Sequence, residues 1–242
     1  MIKYENLIIF KNITPLSSGD SSSTEFAQIP LKREVQRNIP IVEGTSLKGS
    51  LKRQKLIKNG KNVLITDMKI VLFPISTQEG VHYITCPFIL NRLAEEIKHS
   101  NLDFNNSMSS LTVYDSEAIN FNTKEDYNLI INGSLFNTKK LSDFEKLKDF
   151  INKLGIYNKG FSIVSDDIFI FLVNNHTNIS IRNKVEEENT KLFDEEQFPA
   201  STIFYSWILS QYQFTVNNKC FQLGGNKTLG KGVIKIENIL KN

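Results

Sequence analysis

Short apolar runs alternate with polar punctuation along this chain, and the spacing of the apolar positions changes from segment to segment. Residues 4–14, YENLIIFKNIT, are apolar and β-branched and predict a first strand. Residues 15–40, broken by prolines and a serine run, predict a loop. Thr45 is suited to cap a helix from about Ser46 to Lys58, its hydroxyl accepting an early amide hydrogen. Leu47, Leu51 and Leu56 fall on or near one face of that helix, and Lys48, Lys52 and Lys55 on another. Gly49 is a poor helix former, so its presence there predicts close packing or a backbone contact.

Residues 62–75 read as a strand pair or one long strand, and HYITC, 82–86, as a further strand. Pro87 suits the first turn of a helix whose Phe88, Leu90, Leu93, Ala94 and Ile97 are spaced to bury one face. Between residues 100 and 165, LTVYD, EAINF and YNLIING read as short strands, and LSDFEKLKDFINKLG as a helix stopped by Gly155. DDIFIFLV, 166–173, is readable as helix or strand, with Asp166 and Asp167 placed as a helix N-terminal cap or an acid–base pair. Residues 177–200 alternate and then turn polar, which predicts a protruding hairpin. TIFYSWIL, 202–209, follows a core-strand pattern, so Phe204, Tyr205 and Trp207 are expected in the core rather than stacking on bases. KCFQL and KGVIKIENI form two strands around a glycine loop. Strands interleaved with two or three helices predict an α+β domain.

The length of 242 residues suits one large domain, or one domain with insertions. No run of eighteen apolar residues occurs, so no membrane span is expected, and neither is a secretory signal. Cys86 and Cys220 make neither a disulfide framework nor a zinc pattern, which favours a reducing cytoplasm. The three histidines, His82, His99 and His176, are scattered, and His82 with Cys86 reads as packing rather than ligation. Net charge is only +3, but residues 1–62 carry eleven Lys/Arg against five Asp/Glu, and residues 219–242 five against one. Residues 175–200 carry three against six. Two basic ends around an acidic stretch predict one basic surface where the ends meet; the alternative is a set of solvated lysines.

Four of the twelve glycines, Gly224, Gly225, Gly230 and Gly232, lie within nine residues, with Lys227, Thr228 and Lys231 among them. Glycine permits positive φ and close approach, and successive exposed amides can form an anion-binding concavity. The segment lacks the Walker spacing and joins two strands, so a polyanionic backbone such as RNA fits better than a nucleotide. A purely structural hairpin is the alternative. IVEGTSLKGSLKRQ, 41–54, is a second basic element, in which turn amides, Ser46, Lys48, Gly49, Lys52 and Arg53 are suited to hold phosphates; an ordinary surface helix is its alternative.

These two motifs resemble the RAMP superfamily of CRISPR effector subunits, which pairs an SLKG-type turn and helix with a C-terminal GGxxxxGxG loop. QIPLKRE, 28–34, looks like that family's DLPIQRE segment. Residues 66–93 are similar to a DA…FP…TCP…L.R pattern, and LFDEEQFPASTIFYS, 192–206, to an LF.EE.LP..TLFY segment. The five stretches, taken in their order along the chain, resemble the backbone subunits of the type III-B (Cmr) RAMP module.

That resemblance implies an RRM-like, ferredoxin-like palm from about residues 1–95 and 200–242, an insertion over about 100–165, and a thumb β-hairpin over about 176–200, in one domain spanning 1–242. It implies copies stacked along a CRISPR RNA in antiviral defence, other Cmr subunits and a complementary target RNA as partners, and a thumb that wedges the guide–target duplex. The acidic thumb tip would then dock on a neighbouring basic palm. Guide contacts are expected at Arg33, Arg182 and the two basic elements; a salt bridge is the alternative for Arg33, and a solvated strand charge for Arg182. RNA binding needs no cofactor. Active relatives cut target RNA with a divalent metal such as Mg2+ and the Asp of DLPIQRE, and Gln28 stands there in this chain, or Ala27 with a one-residue shift. A neutral amide neither serves as a carboxylate base nor ligates a hard cation well, so slicing is expected to be weak or lost. The alternative is a metal-dependent endoribonuclease using Asp20 or Glu25. Guide processing by acid–base chemistry would want a histidine near either motif, and none is there; a stand-alone RRM module would want its aromatic RNP1 pattern, which is absent.

Overall fold

The computed structural model describes residues 3–19, 28–57, 63–77, 80–100, 102, 111–120, 129–131, 134–140, 145–156, 161–186, 189–214 and 220–241. In chain order the strands are β1 (Tyr4–Asn12), β2 (Gln28–Ile29), β3 (Ile41–Val42), β4 (Val63–Ile65), β5 (Met68–Thr77), β6 (Gly80–Thr85), β7 (Glu117–Asn120), β8 (Leu129–Ile131), β9 (Ser134–Lys140), β10 (Phe161–Ile163), β11 (Asn178–Glu186), β12 (Asn189–Gln197), β13 (Ile203–Ser210), β14 (Cys220–Gln222) and β15 (Val233–Lys241). The helices are α1 (Gly44–Arg53), α2 (Pro87–Lys98), α3 (Glu145–Leu154) and α4 (Asp166–Asn175). Twelve strands form one mixed sheet with the order β14-β15-β1-β13-β5-β6-β10-β7-β9-β8, β3 pairing with β5 and β4 with β13. The remaining three, β11-β12-β2, form a separate small sheet. The fold is α+β, as the interleaved pattern predicts.

The run LIIF explains the centre of this arrangement. β1 is paired on both sides, antiparallel to β13 and to β15, so it has no edge. Its side chains alternate between two cores: Leu7 and Ile9 enter one, Ile8 and Phe10 the other, and all four are fully buried. α2 and α3 cover the first face with Leu90, Leu93, Ile97, Phe150 and Ile151. α1 and α4 cover the second with Leu47, Leu51, Phe169 and Leu172. Burying Leu47 and Leu51 completely contributes about 1.5–3 kcal/mol each, and this holds a short, glycine-containing helix in place.

Several boundaries differ from the sequence expectations for physical reasons. α1 starts at Gly44 rather than Ser46 and ends at Arg53, well short of Lys58. Thr45 does not cap it; the Gly44 amide donates to Asp67 Oδ1 at 2.8 Å, so the capping carboxylate comes from the turn between β4 and β5. Gly49 has nothing among the described residues within 4 Å of where a Cβ would stand, so close packing against them is not its reason. Residues 166–173 are helical, capped by Ser165, whose Oγ accepts from the Ile168 amide at 3.2 Å. Asp166 instead accepts the Phe88 amide at 2.9 Å and so caps α2. LTVYD forms no strand, and β9 had no counterpart in the apolar pattern.

Tyr205 and Trp207 are core residues, as expected: both donate to Glu96 of α2, at 3.1 and 2.9 Å, and Lys69 pairs with the same carboxylate at 2.6 Å. His82 is buried with its Nε2 2.9 Å from the buried Ser162 hydroxyl. Burial lowers its pKa from 6.5 to about 4. At neutral pH His82 is uncharged in both folded and unfolded chains and contributes no pH dependence. As pH falls below 6.5 the unfolded chain takes up a proton that the folded one refuses, and stability drops until about pH 4. The loss from this group is on the order of 2–3 kcal/mol. Urea unfolding at pH 7 and pH 4.5 should therefore show a larger acid loss in the wild type than in His82→Gln; equal losses would refute the assignment.

A candidate cationic cradle at the meeting of the chain ends

α1 and the glycine loop are joined in space by Gln54 and Gln222, which are 168 residues apart in sequence. Gln54, at the end of α1, closes a two-bond ring with the backbone of Gln222, the last residue of β14: its Nε2 donates to the Gln222 carbonyl at 2.7 Å, and its Oε1 accepts the Gln222 amide at 3.1 Å. The Ser50 hydroxyl donates to that same carbonyl. The Gln222 side chain reaches forward, donating from Nε2 to the Lys227 carbonyl at 3.0 Å. One residue thus ties the helix to the loop that follows it. The two basic ends converge, as the charge distribution predicts.

The loop's shape depends on two glycines. Gly224 has φ +81°, and a Cβ there would lie 2.0 Å from the Ser17 carbonyl oxygen. Gly232 has φ +70°, and a Cβ would lie 1.8 Å from the Leu223 oxygen. Neither position admits a side chain. Asn226 takes a left-handed conformation, φ 58°, and opens a single 3-10 turn over Lys227–Leu229. Many loop amides are spent internally: Gly225 donates to Ser17, Gly230 to Lys227, Lys231 to Asn226 and Gly232 to Pro15. The structural role expected as the alternative therefore accounts for Gly224 and Gly232, and for Gly230 through its left-handed φ of +73°, while at Gly225 a Cβ would make only ordinary contacts.

The basic side chains are arranged differently from one another. Lys48 donates from Nζ to the Val63 carbonyl at 2.6 Å, spending one of its three hydrogens on β4. Ser46 sits half-buried in the first turn of α1. Lys52 and Arg53 are exposed, three and four residues beyond Gly49, so the helix presents two charges beside a stretch of bare backbone. Thr228 is exposed and Lys231 half-buried. Lys227 has its pKa lowered by burial and by the positive charge of Arg53 beside it. Among the described residues, Lys52, Arg53, Lys227 and Lys231 have no acid partner.

Of two other expected contacts, that of Arg33 is corrected, and Arg182 lies on the hairpin where it was expected. Arg33 does not stand free for a phosphate: its guanidinium grips Glu196 of β12 with two bonds, 2.5 and 2.9 Å, and also donates to the Leu31 carbonyl and to Asn174. Leu31's amide and this guanidinium both hydrogen-bond Glu196, which holds its carboxyl below the ordinary range despite burial. The salt-bridge alternative holds, with Glu196 as the acid; the adjacent Glu34 pairs with Arg92 at 2.7 Å. Arg182 lies on β11 opposite Phe193, in the hairpin expected over 176–200. Asp20, Glu25 and Ala27 lie outside the described residues, as does the hairpin tip at 187–188. Gln28 begins β2 and pairs in parallel register with Asp194. Among the described residues no three His, Cys, Asp or Glu side chains converge to hold a metal ion. The amide of Gln28 is a poor ligand for a hard cation, so the described residues alone do not make a divalent-cation site.

Gln54, Gln222, Asp67 and the buried Glu195 were missed in the sequence. Each acts through a partner more than twenty residues away, and nothing in local spacing marks it.

With this geometry the chain belongs to the RAMP superfamily, whose family model matches residues 9–235. It is similar to the CRISPR system Cmr endoribonuclease Cmr4 of Pyrococcus furiosus, with 27% identity over 95% of this chain and 94% of that protein. The crystal structure of oligomeric Cmr4 from the same organism superposes with a TM-score of 0.74 at 25% identity, covering 99% of this chain and 98% of the other. A chain of the type III-B Cmr-beta complex bound to cognate target RNA shares the fold, with a TM-score of 0.72 at 18% identity over 99% and 98% of the two chains.

The glycines give a test of this geometry by opposite signs. Gly49→Ala fills open space in a helix and should stabilise the protein by about 0.5–1 kcal/mol. Gly232→Ala meets a carbonyl oxygen in a left-handed backbone and should destabilise it by roughly 2 kcal/mol or more. Urea midpoints of the two variants that move in the same direction would contradict the assigned roles.

Proposed function

We propose that this protein is a guide-RNA-binding backbone subunit of a type III-B CRISPR effector complex, and that α1 and the glycine loop together grip the sugar–phosphate backbone. One observation carries the reading: the Gln54–Gln222 bonds and the Gln222–Lys227 bond join the end of α1 to the glycine loop, which brings Arg53 and Lys227 into one surface without an acid partner among the described residues, where burial and then the charge of Arg53 lower the pKa of Lys227. A phosphate strand relieves that repulsion. Lys52 and Lys231 extend the positive surface, Thr228 adds a hydroxyl, and the bare face at Gly49 lets the strand approach the helix backbone. Similarity to Cmr4 over nearly the whole chain supports the same assignment. The partners are a CRISPR RNA, its complementary target RNA, further copies of this chain and other Cmr subunits.

In this reading the palm comprises about 1–95 and 200–242, and β11 and β12 are the thumb that wedges between guide and target. Arg182, on β11, is then the thumb's contribution to RNA binding, while Arg33 holds the thumb's base through Glu196. Because Gln28 stands where active relatives carry an acid, the subunit holds target RNA and slices it weakly or not at all.

Two measurements check the proposal. Lys52→Ala, Arg53→Ala and Lys227→Ala should each lower the salt dependence of single-stranded RNA binding by roughly 0.7 in the log–log slope. Unchanged slopes would remove these side chains from the phosphate contact. Assembled complex incubated with matched target RNA and Mg2+ should leave the target essentially intact. Periodic cleavage as rapid as that of an enzyme carrying the acid would reinstate the nuclease reading, with Asp20 or Glu25 as its source of carboxylate.

A further inference from the structure

Glu195 is a carboxylate at 5% exposure, in the middle of three consecutive acids on β12. It reaches away from the hairpin and into the base of the glycine loop. Asn226 Nδ2 donates to both its oxygens, at 2.8 Å to Oε1 and 2.7 Å to Oε2. Gln197 Nε2 donates to Oε2 at 2.9 Å, and the Ser17 hydroxyl donates to Oε1. Ser17 in turn accepts the Gly225 amide at 3.2 Å through its carbonyl, against which Gly224 packs. Three distant segments, 15–17, 195–197 and 224–226, therefore close around one buried negative charge. Asn226 is also the left-handed residue that starts the turn carrying Lys227 and Thr228. Whatever orients the Asn226 side chain orients that turn.

We infer that Glu195 is a positioning residue that fixes the cationic loop to the base of the β11–β12 hairpin, so that RNA grip and hairpin placement act as one unit. The inference rests on the RNA-binding reading of the loop. A carboxylate is required for it. Asn226 donates to both oxygens, and an amide in place of Glu195 offers only one acceptor and turns an NH2 group toward a donor. Simple electrostatics predicts the opposite consequence for RNA: removing a negative charge beside a cationic loop should tighten binding to a polyanion. The sign of the effect separates the two.

The test measures binding of the full chain to a short single-stranded RNA oligonucleotide across a salt series. Glu195→Gln should weaken binding roughly tenfold, the scale of one hydrogen bond to a charged group, and lower the salt slope by about 0.7 or more as loop lysines leave the phosphates. Asn226→Gly keeps the left-handed backbone and removes the side-chain link to Glu195, so it should show a loss in the same direction, with a reduced slope. The loss in the double variant should fall short of the sum of the two single losses, because both remove the Glu195–Asn226 contact, while Glu195→Gln also touches Ser17 and Gln197. Equal or tighter binding by Glu195→Gln, or additive losses in the double variant, overturns the inference. Should Glu195→Gln fail to fold, Asn226→Gly decides alone: weaker binding with a reduced slope supports the link, and wild-type binding overturns it. Failure of the wild-type chain to bind RNA would sink the RNA reading itself, an outcome distinct from unaltered binding by the variants.

Discussion

The pairing between the Gln54 side chain and the Gln222 backbone is the constraint on which the rest of the site depends. A primary amide can both donate and accept, so it satisfies the exposed amide and carbonyl at the end of a strand much as a neighbouring strand would. That bond sets α1 against β14. Gln222 then fixes the start of the 3-10 turn through the Lys227 carbonyl. Arg53 precedes Gln54, and Lys227 follows Gln222 by one short loop, so two like charges are brought together by hydrogen bonds between neutral groups. Repulsion between them is offset by the bonds and by the buried leucines of α1. A surface that holds cations together in advance pays less on meeting a polyanion than one that must gather them.

The same logic extends outward to the small sheet. Of the three acids in LFDEEQFP, Glu195 turns inward to Asn226, Ser17 and Gln197, and Glu196 is gripped by Arg33 and the Leu31 amide. A stretch that reads as surface charge in the sequence is, at these two positions, the anchor of the hairpin. The large sheet supplies the rigid floor: β1, paired on both sides and buried on both faces, carries the chain from the N-terminus into the turn that holds Gly224 and Gly232. Paired strands and two covered cores leave little freedom for the chain ends to separate.

Much of this was legible before any coordinates. LIIF and TIFYSWIL announce central strands because their apolar residues run without a polar alternate, as burial on both faces requires. Pro87 and the spacing of Leu90, Leu93 and Ile97 announce α2. The clustering of lysines with glycines at one end, and with SLKG at the other, locates the cradle. What stayed hidden is long-range polar pairing. Asp67 as the cap of α1, Asp166 as the cap of α2, and Glu196 as the partner of Arg33 are chosen by tertiary neighbours, and their own local sequence offers competing partners such as Thr45 and Glu34. Gly49 marks the limit in the other direction. The sequence shows that the helix tolerates an unfavourable residue, and only the geometry shows that no packing contact among the described residues explains it.

The central claim is that α1 and the glycine loop form one RNA-gripping surface. Amide hydrogen exchange of the full chain, with and without a single-stranded RNA oligonucleotide, tests it most directly. The account predicts that peptides covering residues 44–54 and 222–232 gain protection together, with the same dependence on RNA concentration. Protection confined to one of the two segments, or appearing only elsewhere on the molecule, would contradict it.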